Sequence, residues 1–126
     1  MTVNKTYSIS ICSLQIVDGQ TCETKITVPC KFNSKNNLAL ISYDEIIENQ
    51  KFSSNIQICG SDKIIISRKG AQSFKFLFEK NKQHIGTYFT EFGNIQMGVS
   101  THEICCRFAK NFCHIKLSYS LDANNS

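Results

Sequence analysis

Five residues near the end of the chain have the right types for metal or thiol chemistry: His102, Cys105, Cys106, Cys113 and His114. A structural zinc site takes four such ligands, commonly with close Cys-x-x-Cys pairs, converging as a tetrahedron. Here Cys105 and Cys106 are adjacent, and neighbours on a strand point to opposite faces. Treating Lys110-Asn111 as a two-residue hairpin turn pairs Ala109 with Phe112, Phe108 with Cys113, Arg107 with His114 and Cys106 with Ile115. Cys106 and Cys113 then share a face but sit diagonally, too far apart for a comfortable disulfide, and His114 lies on the face away from Cys113. The pattern points to thiols that pack as small apolar side chains, with no metal and no cofactor. A nucleophilic cysteine needs a base within hydrogen-bond reach and a lowered pKa. None of the seven cysteines stands in a recognisable elbow or Gly-rich turn, so no catalytic residue is assigned.

A second group has the chemistry of a polar cluster: Tyr43, Glu45, Arg68, Tyr88 and Thr101. On strands, Tyr43 and Glu45 share parity with Ile41 and Ile47, Arg68 with Ile64 and Ile66, and Tyr88 with Thr90. If those faces point inward, charged and phenolic groups stand in an apolar interior, where charges are normally paired. The cluster would then either tie strands together as a structural plug or orient a bound ligand. On the opposite parity these residues face water.

The elements that must position these groups read as strands. Ile9 and Ile11 begin an alternation that passes through Cys12 and resumes at Leu14 and Ile16, before an Asp18-Gly19 turn. A second strand carries Ile26 and Val28 and ends near Pro29, and residues 33–37 form a polar loop. Residues 38–47 read as a strand that is apolar on both faces, or as a short helix, since Asp44, Glu45 and Glu48 interrupt Ile46-Ile47; the β-rich context favours the strand. Ile56 and Ile58 lead to a turn at Gly60-Ser61-Asp62, and Ile64-Ile65-Ile66 is a β-branched run suited to a buried strand. After a break at Gly70, Phe74, Phe76 and Phe78 alternate with Lys75 and Glu79. A turn near Asn81, a strand over 85–90 and a turn at Phe92-Gly93-Asn94 follow. Ile95, Met97, Val99 and Thr101 share one face of the next strand, and Ile115, Leu117, Tyr119 and Leu121 one face of the last. Val99 and Thr101 are odd-numbered but Ile104, Cys106 and Phe108 are even, so an extra residue somewhere near Thr101 to Glu103 is needed to keep one buried face. That predicts a β-bulge.

About nine short meandering strands admit a sandwich or a closed barrel, and the long bulged strand favours the barrel. At 126 residues the chain is one domain over 1–126, with 121–126 as a polar tail. Nine phenylalanines could fill such a small interior outright. The net charge of +4 is mild and the lysines are scattered among apolar residues, which argues against nucleic acid as a partner. No window approaches the roughly 18 apolar residues of a membrane span, and the first residues lack a signal-peptide core. The expectation is a cytoplasmic protein with reduced thiols. The abundance of Ile, Lys and Asn reads as codon bias.

Ile41–Glu45 (ISYDE), Ser67–Ala71 (SRKGA), Thr87–Gly93 (TYFTEFG), Met97 and Thr101 fall in an order that resembles the YwiB-like bacterial proteins, domain of unknown function 1934. The family pattern is similar to S-Y-x-E, R-x-G, Y-x-x-x-[FY]-G and a downstream Thr, with a late Tyr matching Tyr119. The resemblance covers Ile9 to Leu121 and implies a small calycin-like, lipocalin-like β-barrel of eight to ten strands from low-GC Gram-positive bacteria. It implies no established activity, substrate or cofactor. Members continue into a further strand, so the resemblance implies that this chain lacks its closing strand, leaving an open edge through which a homodimer would form.

Three function classes follow. The first is a binding module for a small, partly apolar ligand in the barrel interior, with Tyr43, Glu45, Arg68, Tyr88 and Thr101 as its site. The second is a protein-interaction or assembly subunit using a β-edge or the outer barrel surface. An enzyme working from the interior carboxylate is the weakest of the three.

Overall fold

The computed structural model describes residues 7–36 and 38–123. They form nine strands: β1 (Tyr7–Val17), β2 (Gln20–Lys35), β3 (Leu38–Ile47), β4 (Gln50–Cys59), β5 (Lys63–Lys69), β6 (Ser73–Glu79), β7 (Gln83–Thr90), β8 (Gly93–Ala109) and β9 (Phe112–Ala123). Each pairs antiparallel with the next, and β1 pairs with β9 to close a barrel. An odd number of up-and-down strands leaves the first and last running the same way, so the closing pair is parallel, from Ser8 opposite Phe112 to Val17 opposite Leu121.

This closure corrects the expected open seam. The edge of β1 through which a homodimer was expected to form is occupied by β9. The expectation rested on the further strand that the resemblance implied; here β9 itself lies beside β1. Residues 121–123, read as part of a polar tail, belong to β9, while residues 124–126 lie outside the described residues. Residues 1–6, where no signal-peptide core was expected, lie outside them too.

The tight turns explain why the chain changes direction where it does. Asp18 and Gly19 both have positive φ (52° and 77°), as do Glu48 and Asn49 (51° and 65°). Such paired left-handed residues match the twist of a hairpin. Glu48 is therefore a turn residue, and 38–47 is a strand. Asn36, Asn81 and Asn111 also take positive φ, a conformation asparagine tolerates better than most residues. At these positions asparagine has a structural role beyond codon usage. The other differences are local. Pro29 lies inside β2, which continues to Lys35 across most of the expected polar loop; Asn37 is outside the described residues. The turn before β8 is Glu91-Phe92, ahead of Gly93. On β1 the inward parity of Ile9 and Ile11 runs on through Ser13 and Gln15, not Leu14 and Ile16.

The β8–β9 ladder slips between Thr101 and Glu103. His102 is the extra residue, its ring nitrogen Nε2 2.7 Å from Ser120 Oγ. The bulge lets Val99 and Ile104, of opposite parity, both be buried. β6 and β7 pair over three residues only, 73–75 with 87–89. Beyond that the turn leans on β8: Asn81 N–H donates to Thr101 O (2.9 Å) and Thr101 N–H to Lys82 O (3.2 Å). His84 Nε2 lies 2.8 Å from Glu79 Oε1 across the split, and this bond holds the Glu79 carboxyl below its ordinary pKa.

The core is a waist. Ile9, Ile41, Ile56, Ile64, Val99, Ile115, Leu117 and Phe78 are at most 2 % exposed. Each such side chain is worth roughly 1.5–3 kcal/mol of burial. The phenylalanines do not fill the barrel: only Phe76 and Phe78 are buried, and Phe89, Phe92, Phe108 and Phe112 are exposed. A cavity therefore remains on either side of the waist.

Candidate functional site

The cavity at the end of the barrel where β3 turns into β4 holds most of the polar cluster. It measures about 290 Å³ and is lined by residues of β1, β2, β3, β5, β6, β7 and β9, among them Tyr43, Glu45, Arg68 and Tyr88. The inward parities read for those four residues are those of the fold.

Arg68 and Glu45 meet although a strand separates them. Glu45 on β3 stands opposite Phe52 of β4, and Arg68 on β5 opposite Ser54 of β4. Two strand spacings are close to ~10 Å, which only long side chains can bridge. Ser54, small and 3 % exposed, leaves the room for them to do so. Arg68 Nη2 donates to Glu45 Oε1 at 2.7 Å, with side-chain exposures of 27 % and 19 %. The guanidinium carbon lies 5.3 Å from the Phe52 ring centre and 5.9 Å from that of Phe74, within range of cation–π attraction. Gly70 explains the Phe52 position. A Cβ there would stand 2.8 Å from Phe52 Cε1 and closer still to Cδ1, so the ring can lie against the chain only where a side chain is missing. Arg68 and Gly70 thus act together: the glycine seats the ring that braces the arginine.

Three tyrosines complete the site. Tyr43 is buried, and burial, above all, raises its pKa, opposed by a hydrogen bond with Ser54. Tyr119 O–H donates to Gln15 Oε1 at 3.3 Å, and its ring packs edge-on against Phe78 with centres 4.8 Å apart. Burial pushes Tyr119 up to about 12. Tyr88 packs on Phe74 and Phe76, centres 5.5 and 6.0 Å away. Gln15, Ser13 and Tyr119 line the same cavity. Reading β1 through Leu14 and Ile16 hid Ser13 and Gln15; the parity of Ile9 and Ile11, carried forward, would have found them.

Thr101 departs from the expectation. It is buried, opposite Tyr119 on β9, but does not line the cavity. Its hydroxyl has no hydrogen-bond partner among the described residues, and its backbone anchors the β6–β7 turn. It stands at the start of the bulge.

The Cys/His group does not converge. The hairpin register read from the sequence is the register of the fold, from Ala109–Phe112 through Cys106–Ile115. All seven cysteines are free. Cys106 and Cys113 face inward with Cys30, and burial pushes their pKa values up to about 11 and about 12. No group of three or more His, Cys, Asp or Glu placed to hold a metal occurs among the described residues.

These shifts carry a pH dependence. Tyr119, Cys106 and Cys113 keep their protons in the folded protein to a higher pH than in the unfolded chain, whose groups titrate near ~10 and ~8.5. Their contribution is complete below those unfolded values and is lost as pH rises toward 11–12. The urea midpoint should fall steadily between pH 9 and 12, and less steeply in Tyr119→Phe. A flat profile over that range would show that the three groups titrate as they do in water.

No helix among the described residues is long and apolar enough to cross a membrane. A comparison with the curated proteins finds no match. Among solved structures the chain is similar to the ywiB protein from Bacillus subtilis, with 20 % identity, a TM-score of 0.71, and coverage of 83 % of this chain and 73 % of that one. At that identity the likeness is one of fold. The family model described as domain of unknown function (DUF1934) matches residues 9–126, and the chain therefore belongs to that family.

Proposed function

We propose that this chain is a non-enzymatic binding module of calycin-like, bacterial type that takes a small, partly apolar ligand at Tyr43, Glu45, Arg68 and Tyr88. The observation that carries the reading is the cavity itself. Its ≈ 290 Å³ lie at the lower edge of the ~300–1,000 Å³ typical of small-molecule sites. Aromatic and aliphatic walls surround a few convergent polar groups, the usual composition of such sites. A cytoplasmic location accords with seven free cysteines.

Native mass spectrometry of protein purified gently from its own cells tests the reading. The expected spectrum shows a small-molecule adduct that disappears in Ser13→Phe, which fills the cavity. A bare mass, together with amide shifts at Tyr88 and Tyr119 that no aromatic or aliphatic fragment moves, would sink it.

A second reading, an interaction subunit acting through its outer surface, is favoured by one observation. The β7–β8 hairpin exposes Ile85, Phe89, Phe92 and Ile95, with Phe92 92 % accessible. Exposed apolar groups gathered on one hairpin are more than the scattered few of an ordinary surface.

A further inference from the structure

The charge balance of the cavity indicates what kind of ligand suits it; this inference rests on the binding reading above. Of the described side chains lining the cavity only Arg68 and Glu45 carry formal charge, and the two cancel. Their contact is single, Nη2 to Oε1. A fork-to-fork pair would engage two N–H groups and both carboxylate oxygens. The single contact leaves Glu45 Oε2 and the remaining guanidinium donors with capacity for another molecule. The guanidinium is also braced between Phe52 and Phe74, which keeps it from following an anion out of the site.

A simple anion could take Arg68 fully only by displacing Glu45, stranding a carboxylate on a partly dry wall. A simple cation would do the converse to Arg68. A ligand carrying both charges satisfies both residues and leaves neither unpaired. We propose that the cavity takes a zwitterion: a carboxylate that binds Arg68 and an ammonium that binds Glu45, on an apolar, ring-sized body packed against Phe74, Phe76 and Tyr88.

The test is a matched series of probes followed by amide shifts of the cavity residues: L-phenylalanine with both charges, 3-phenylpropionate with the anion alone, 2-phenylethylamine with the cation alone, and 3-phenylpropanamide with neither. Phenylalanine should bind at least tenfold more tightly than the other three. Glu45→Gln should erase its advantage over 3-phenylpropionate while the binding of 3-phenylpropionate itself persists. If 3-phenylpropionate, the amine or the amide binds as tightly as phenylalanine, the zwitterion inference is overturned and the binding reading survives. If no probe shifts a cavity residue, and a wider set of neutral aromatic fragments shifts none either, both are overturned.

Discussion

Replacing Arg68 by alanine should lower the melting temperature by roughly 10 °C, the equivalent of about 2–3 kcal/mol in a domain of this size. The loss has two sources. Glu45, 19 % exposed in its side chain, loses its 2.7 Å partner. Stranding one member of a fully buried pair costs ~3–5 kcal/mol, and the remaining access to water reduces that here. The Phe52 and Phe74 rings also lose the cation between them, worth ~0.5–1 kcal/mol at partly exposed sites. Arg68→Lys should fall between alanine and the parent, since lysine keeps the charge but not the planar face or the fork. The double variant Arg68→Met/Glu45→Leu should recover most of the loss, because apolar groups of similar size replace both charges. Thermal melts at pH 7 decide the matter. If Arg68→Ala melts within a degree of the parent, the guanidinium contributes nothing to the barrel, and its role lies in binding alone.

Much of this site was legible in the sequence because strand parity is a strict code. Tyr43, Glu45 and Arg68 had to point the same way as Ile41, Ile64 and Ile66, and the fold places all of them inside. The bulge was legible for the same reason: Val99 and Ile104 could both be buried only if one residue were passed over, and His102 is that residue. Parity does not report which inward residues meet. That Arg68 reaches Glu45 depends on Ser54 being small on the strand between them, a relation among three strands. Thr101 shows the same limit. Its inward direction was read correctly, but its neighbours are Tyr119 and the β6–β7 turn, and the cavity lies elsewhere.

Closure was misread for a global reason. Nothing local to β1 or β9 announces a parallel pair; it follows from counting strands around the whole barrel. The cavities were missed through composition. Nine phenylalanines suggest a filled interior, yet several serve the rim and outer surface, where Phe92 and Phe108 stand exposed. Counting aromatic residues without assigning them to faces overestimates the core.

Gly86 shows what single-strand reading leaves out, and it supplies the second large effect. On β7 it resembles a weak spot in a strand. In the barrel it is buried, and a Cβ there would stand 2.7 Å from Phe76 Cε1, closer to Cδ1, and 3.2 Å from the Lys75 carbonyl oxygen. The Phe76 ring occupies the space of the missing side chain where β6 and β7 part. It cannot retreat freely: it is 4 % exposed, stacked on Phe74 at 4.9 Å and flanked by Tyr88 at 6.0 Å and Phe78 at 6.3 Å. Gly86→Ala should therefore destabilise by about 3 kcal/mol, the upper part of the range for an overpacked core. The strain should also push Phe76 into the cavity and weaken any ligand held there. Phe76→Leu alone should cost about 1–2 kcal/mol in lost packing, but in the Gly86→Ala background it should restore stability, because the smaller side chain vacates the contested space. Urea unfolding of the four proteins measures this coupling directly. Additive effects, or a Gly86→Ala variant as stable as the parent, would mean that the ring has room to move and that the glycine is not what seats it.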